Sequence, residues 1–298
     1  MADFKKMSDA ELSKKLGIYQ TLERVGQIIG LILVAAGTAT AFIKHDLWLF
    51  AGLFFAGVIV MIIVFVVINT KKNVLLNLQL GDFFHSELKS AFGPGTAQPT
   101  MPIDRAYLES AQLVNQCWEE SNISNFFEGE HASLRFSVAN VALDHLVEER
   151  SGPDSDNWMT WTVHVFGGVV IRCADVCDAN RDIRILDRYQ ESPPKSVVSD
   201  PAVFAERFKT LTSDGREAAA LVTPELRELC AGLEKAVRGK LCGLALKDGE
   251  AALALHTSYQ FSNVPPNTDL RNIDGIRKAY VESIGTLKTL LDILKKYL

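Results

Sequence analysis

Formal charge is almost missing between Val25 and Ile68, where Lys44 and Asp46 are the only ionised side chains. That scarcity excludes an ordinary amphipathic helix pair, which carries a charged stripe opposite its apolar one. Cysteine is sparse and badly spaced for shared chemistry: Cys117, Cys173, Cys177, Cys230 and Cys242 are odd in number and contain no C-x-x-C. A disulfide framework is thereby disfavoured, and free thiols in a reducing compartment fit better. Walker loops, G-x-G-x-x-G, G-x-S-x-G and H-E-x-x-H are all absent, so the common phosphate, dinucleotide, nucleophile-elbow and zincin mechanisms lack their minimal parts. Basic patches are lacking too. With the six basic and five acidic residues before Lys71 set aside, 25 Lys and Arg stand against 31 Asp and Glu. A surface of that sign repels phosphate backbones, and nucleic acid is not an expected partner.

The apolar material that is present is concentrated. Val25 to Ile43 and Leu47 to Ile68 contain 19 and 22 residues, and at about 1.5 Å per helical residue each could cross a hydrocarbon core of about 30 Å. The second run holds sixteen Leu, Ile, Phe and Val residues, enough to favour insertion by several kcal/mol. Lys44-His45-Asp46 between them is long enough only for a hairpin tip, and in lipid both arms can satisfy their backbone only as helix. Lys5, Lys6, Lys14, Lys15 and Arg24 precede the first run and Lys71 and Lys72 follow the second. The positive-inside bias places both termini in the cytoplasm of a multi-pass inner-membrane protein, with the bilayer as its first partner. A signal peptide cleaved at Ala39-Thr40-Ala41 competes with this reading, but the preceding segment carries Asp3, Asp9, Glu11 and Glu23 and the apolar stretch is long for a signal core. Neither run has an ionisable residue in its interior, which argues against a transporter. Gly26 and Gly30, then Gly37 with Ala41 and Gly52 with Ala56, set small residues four apart, a spacing for close helix approach either within one hairpin or between two chains.

The expected organisation is a segment at 1–24, a transmembrane hairpin at 25–70, connecting helices and a linker at 71–122, an α+β domain with a mainly antiparallel sheet at 123–262, and a C-terminal amphipathic helix at 263–298. A helix over 73–92, with Leu80, Phe84, Leu88 and Ala91 on one face, ends at Gly93-Pro94-Gly95. Asp104 caps a second helix running to about Glu120. Short β-rich runs follow at 126–130, 133–138, 141–148, 160–173 and 182–186, with a polar loop at 151–157. An antiparallel meander arranges them most simply, placing Leu143, His145 and Val147 on one apolar strand face and Trp161, Val163 and Val165 on another, both turned to a common core. Asp200 with Pro201, and Thr223 with Pro224, are N-cap and N1 pairs for two helices, the second ending near Gly239 with Leu226, Leu229, Leu233 and Val237 along its buried side. Asp248-Gly249 between apolar runs signals a hairpin. Ile273 to Leu298 carries Ile276, Tyr280, Ile284, Leu287, Leu291 and Leu294 on one stripe, better suited to docking on the domain than to a coiled coil, since Ser283 falls at a d position.

Candidate chemistry is thin. Cys173 and Cys177 with Asp175 and Asp178 form the best metal set by composition, yet i and i+4 on a strand lie about 13 Å apart and need a turn to meet. Glu128, Glu130 and His131 could form an acid-base group; a solvated strand face, with Phe126 on the other side, explains them more simply. Thr212 to Glu217 reads as a capped helix start. No residue is therefore assigned as catalytic, cofactor-binding or metal-binding, no cofactor is implied, and an enzyme is the less favoured reading.

Phe127-Glu128-Gly129, the run Val165-Phe166-Gly167-Gly168-Val169-Val170-Ile171, Asp200-Pro201-Ala202-Val203-Phe204, and Thr212-Ser213-Asp214-Gly215-Arg216-Glu217-Ala218 followed by Leu221-Val222-Thr223-Pro224-Glu225-Leu226 carry a resemblance. Over about Lys71 to Phe261 the chain resembles a bacterial family of membrane-anchored proteins, the domain of unknown function numbered 3137. Hydrophobic spans upstream of the domain fit that family as well. Gly167 and Gly168, where an arginine is often found, and the added C-terminal helix depart from it. The resemblance implies no reaction, cofactor or catalytic residue. The expectation is a membrane-tethered cytoplasmic module that binds another protein or assembles with itself. The alternative is a membrane-anchored enzyme or ligand sensor with a pocket between the sheet and the helix from Thr223 to Arg238.

Overall fold

The computed structural model describes residues 7–44, 47–95, 99–150, 158–177, 182–188, 200–212, 221–257, 261 and 268–298. The chain divides into two units, Met1–Ser86 with Pro266–Lys278, and Glu87–Pro265 with Ala279–Leu298.

In the first unit helix α1 spans Asp9–Lys44, so the helix begins well before the apolar run does. Helix α2, Leu47–Ile63, passes through a π-helical turn at Val64–Ile68 into α3, Asn69–Phe92. Two helices are thus long and apolar enough to cross a membrane, and the most apolar window of the second is 6% buried. Ile28, Leu31, Ile32, Phe55, Ile59 and Ile62 are all exposed. The arms meet through small residues: the α-carbon face of Gly57 lies against the Gly30 carbonyl, and a methyl on Gly30 would stand 2.3 Å from Met61 and one on Gly26 2.3 Å from Val64. The glycine face therefore packs within the hairpin, while Gly52 has no neighbour within 4 Å of such a methyl. Thr38 donates its hydroxyl to the Val34 carbonyl at 2.9 Å and Thr40 to Gly37 at 2.7 Å, which hides two polar groups of α1 against its own backbone. Residues 45 and 46 of the expected tip lie outside the described residues. Below the apolar runs Lys72 pairs with Glu23 at 3.0 Å, Arg277 forks onto Asp9 at 2.8 and 2.9 Å, and Leu12, Leu16, Leu76 and Leu80 are buried.

The second unit is built on a seven-stranded antiparallel sheet: β1 Glu120–His131, β2 Leu134–Arg150, β3 Trp158–Cys173, β4 Asp182–Asp187, β5 Phe208–Leu211, β6 Lys240–Lys247 and β7 Glu250–His256. Their order is β1-β2-β3-β7-β6-β4-β5, so a meander holds only for the first three strands. The two runs expected at 133–138 and 141–148 are one strand, because Ala139 and Asn140 stay in register with Val170 and Val169. Strand β5 was not expected; its four residues pair with β4 directly after helix α5, Pro201–Arg207.

Each sheet face has its own filling. Val138, Ile171, Leu253, Leu244 and Ile185 are cross-strand neighbours in one row and all are fully buried. The other face is lined by small residues, Ala139, Ala245, Ala252 and Ala254, which lets Ile103, Leu108 and Leu113 sit close against it. This closeness ends helix α4 early. It spans Arg105–Ala111 rather than reaching Glu120, Gln112 caps it in the left-handed region, and the Leu113 backbone lies where a side chain on Gly243 would be, 2.0 Å from its carbonyl oxygen. Burial of Leu113 on the sheet outweighs the roughly two and a half further helical turns expected.

The expected caps hold: the Asp200 carboxylate accepts from Ala202 and Val203, and the Thr223 hydroxyl from Leu226, opening α6, Pro224–Val237. Helix α6 ends at Arg238, which takes the left-handed conformation itself. Asp248 and Gly249 both have positive φ, the requirement of a tight hairpin between β6 and β7. Helix α7, Ile273–Tyr297, buries Ile284, Leu287, Leu290, Leu291 and Leu294; its Ile293 approaches Gly232 of α6, and its Asp292 meets His131 of β1 at 2.8 Å. Docking of this part of α7 within the second unit agrees with expectation. Residue Phe261 is fully buried, held by Asn140, whose amide accepts from the Phe261 N–H at 2.8 Å and donates to its carbonyl at 2.6 Å.

Candidate functional site

The residues singled out by spacing are not brought together. Glu128 is buried rather than solvated: its carboxylate accepts from the Thr100 N–H at 2.9 Å, the Thr100 hydroxyl at 2.5 Å and the Met101 N–H at 3.1 Å, pinning the linker to β1. A register shift between Ser124 and Phe127 turns Phe127 onto Phe92, Phe136 and Phe261, while Phe126 is exposed. His131 is engaged by Asp292, and Glu130 is exposed, so no acid-base group forms. Burial pushes the Cys173 thiol up to about 12, and the Cys177 thiol donates to the Glu250 carbonyl at 3.3 Å. Asp175 turns to Arg135. No group of three or more His, Cys, Asp and Glu suited to a metal occurs among the described residues; Asp178, and Ser213 to Glu217 of the expected helix start, lie outside them.

A charged cluster unanticipated from sequence lies where β4, α5, α6 and β6 meet. Arg207, 2% exposed, donates to Asp187 at 3.0 and 3.1 Å and to Glu234 at 2.9 Å, and Lys240 stands 3.4 Å from Asp187. Glu234 also accepts from the Leu241 N–H at 2.7 Å. Two cations face two carboxylates, so the cluster is internally neutralised. Beside it Gln116, Arg188, Cys242 and His256 help to line a cavity of about 70 Å³. Burial first, then Lys240 and His164, hold the His256 imidazole below its ordinary pKa, and burial lifts the Cys242 thiol to about 11. Neither group is poised as a charged ligand or nucleophile near neutral pH. The cavity has room for about two waters at their liquid volume, far below the ~300 Å³ at which ligand pockets begin. The α6 stripe, Leu226, Leu229, Cys230, Leu233 and Val237, is buried, and among the described residues it does not line the described cavities.

The outstanding surface feature is a β ribbon. Beyond Asp144 strand β2 is no longer paired with β1, and before Gly168 strand β3 is not paired with β7. His145 to Arg150 and Trp158 to Val163 therefore pair only with each other among the described strands. Trp158, Met159, Trp161 and Val163 are 57%, 59%, 40% and 41% exposed, which corrects the expectation that Trp161 and Val163 face the core. A two-stranded ribbon is marginal in water by itself, and the exposed apolar row of Met159, Trp161 and Val163 on one of its faces is the kind of surface that marks an interaction site. The two edges differ. At the β2 edge, Glu119 accepts from the Leu146 N–H at 2.8 Å, the contact that chiefly holds its carboxyl below the usual range, and from His145, and Glu148 and Glu149 follow on the strand. On β3, the run Trp158-Met159-Thr160-Trp161-Thr162-Val163 carries no charge. Alternation alone could not reveal this ribbon, because buried and exposed apolar strands share the same pattern. Along one side lies a groove of about 310 Å³ lined by Asn115, Gln116, Cys117, His145, Val163, His164 and Val165. Neither a family model, nor a curated protein, nor a solved structure matches the chain.

Proposed function

We propose that this chain is a membrane-tethered module that binds another protein or assembles with itself, anchored by its N-terminal hairpin in the inner membrane with both termini in the cytoplasm. The tether reading rests on Ile28, Leu31, Ile32, Phe55, Ile59 and Ile62, apolar side chains left exposed along helices with nothing else to shelter them in water. The observation that carries the binding role is the uncharged, exposed β3 arm of the ribbon, Trp158 to Val163. Tethering raises the local concentration of partners on one membrane, so a contact too weak to persist in solution becomes consequential. The enzyme or sensor alternative needs a pocket between sheet and α6, where the packing of Leu229, Cys230 and Leu233 leaves them fully buried. Membership in the family named above remains part of this proposal, resting on the motif residues alone. Purification of the tagged full chain in mild detergent tests the role: a stoichiometric protein partner or a defined oligomer is expected. Recovery of a monomer carrying a bound small molecule would overturn it.

A further inference from the structure

We infer that the partner of the ribbon is a second copy of this chain, joined to the first by antiparallel pairing of the β3 arms about a two-fold axis at Trp161; the effective strength of this contact rests on the tethered reading above. Three observations lead there. First, the edges are asymmetric: β2 beyond Asp144 is guarded by Glu119 and carries Glu148 and Glu149, the usual protection of an edge strand, whereas β3 from Trp158 to Val163 has none of it. A β2 to β2 pairing would bring the glutamates of both copies together, and a β3 to β3 pairing meets no like charge.

Second, the β3 arm is self-complementary in one register. A two-fold axis normal to the sheet keeps faces matched, so residues paired across it share parity. Centred on Trp161, the pairing sets Trp161 against the partner's Trp161, Thr160 against the partner's Thr162, and Met159 against the partner's Val163. Aromatic with aromatic, hydroxyl with hydroxyl and apolar with apolar are the favoured cross-strand pairs. Centring one residue to either side sets Trp161 against the partner's Met159 or Val163 and leaves one threonine pair in place of two.

Third, Val147 lies opposite Trp161 on β2, so the joined arms would form one four-stranded sheet with an unbroken apolar row of Val147, Trp161 and their counterparts in the second copy across its middle. A strand pair this short is small beside the ~800 Å² per partner of a standard interface. Dimerisation is therefore expected to be weak in dilute solution and pronounced in one membrane.

The test uses the full chain reconstituted in phosphatidylcholine vesicles, with Cys117→Ser to remove the exposed thiol. Trp161→Cys should form a disulfide-linked dimer under copper-phenanthroline oxidation, because directly paired α-carbons lie about 4.5 to 5.5 Å apart, within disulfide range. Met159→Cys alone should not, but a mixture of Met159→Cys and Val163→Cys chains should. Since Trp161→Cys could itself weaken the ribbon, charge variants read by fluorescence-transfer dimerisation provide a second measurement. Thr160→Glu/Thr162→Glu sets like charges opposite each other twice and should weaken dimerisation about tenfold, and Thr160→Lys/Thr162→Glu should restore it. Absence of the Trp161→Cys dimer together with no loss from the double glutamate variant overturns the inference, as does equal cross-linking of Met159→Cys alone. A chain that stays in vesicles as a monomer defeats self-pairing and leaves the tether standing. A chain that cross-links yet washes off the vesicles supports self-pairing and defeats the tether.

Discussion

Gly167 and Gly168 are adjacent in one strand and should respond oppositely to the same added methyl. A β-carbon on Gly168 would stand 1.9 Å from the Leu255 carbonyl oxygen and 2.9 Å from its carbon, both backbone atoms of the neighbouring strand β7. Relief requires β3 and β7 to separate by more than 1 Å at about the point where their pairing begins, and among the described strands that pairing is the ladder joining β1-β2-β3 to β7-β6-β4-β5. Overpacking costs about 1–3 kcal/mol, and weakening two ladder hydrogen bonds adds about 1 kcal/mol each, giving roughly 3–5 kcal/mol. For a domain of this size that is a drop of about 6–20 °C in thermal midpoint. A β-carbon on Gly167 would instead meet the His164 ring, 2.6 Å from its Nε2, at the end of an exposed side chain that can swing aside. Gly167→Ala should shift the midpoint by no more than about 2 °C, helped by a less flexible unfolded chain. Thermal unfolding of both variants in one detergent, followed by near-ultraviolet circular dichroism, decides the matter. Equal midpoints, or a larger loss for Gly167→Ala, would refute the reasoning.

Arg207→Met should cost about 3–5 kcal/mol in urea unfolding, because it leaves Asp187 and Glu234 buried with Lys240 as the remaining cation of the cluster; a loss below about 1 kcal/mol would contradict the charge pairing. His256 is held neutral in the fold by burial, Lys240 and His164, and its pKa lies below the unfolded value of about 6.5. Its contribution is therefore present above about pH 6.5 and lost as pH falls, since the unfolded chain takes up the proton first. The midpoint should drop less between pH 7.5 and 5.5 in His256→Gln than in the native chain, and identical pH profiles would count against this. Thr223→Ala removes the side-chain acceptor for Leu226 and should lower stability by about 1 kcal/mol in the same unfolding assay. Asn140→Ala removes both Asn140 contacts to the Phe261 backbone, whose carbonyl keeps the Asn125 amide at 3.2 Å, and should cost about 1–3 kcal/mol, with faster proteolysis near Phe261; unchanged cleavage would show the anchor to be dispensable.

Features set by local chemistry were legible in the sequence. Asp200 and Thr223 announced their helices because a short oxygen-bearing side chain before proline satisfies the first free N–H groups. Asp248-Gly249 announced its hairpin because few residues accept two successive positive φ values. Where outcomes depended on distant partners, local pattern misled. The helix expected to continue from Ala111 to about Glu120 was displaced by Leu113 docking over Gly243, and β5 was hidden because four residues carry no usable period. Glu128 looked solvated because the donors to its carboxylate, Thr100 and Met101, sit 28 and 27 residues away. Strand β3 was readable as a strand from Thr160 onward, two residues after its start, but the point where β7 stops covering it, and hence the exposure of Trp161, is a property of the sheet order.

The account stands or falls on lipid burial of the second apolar helix. Membranes from cells expressing the full chain, carrying a periplasm-active or cytoplasm-active enzyme fused after Leu298, should retain it through alkaline carbonate washing, with activity from the cytoplasmic reporter alone. Release by carbonate, or activity from the periplasmic reporter, would contradict it.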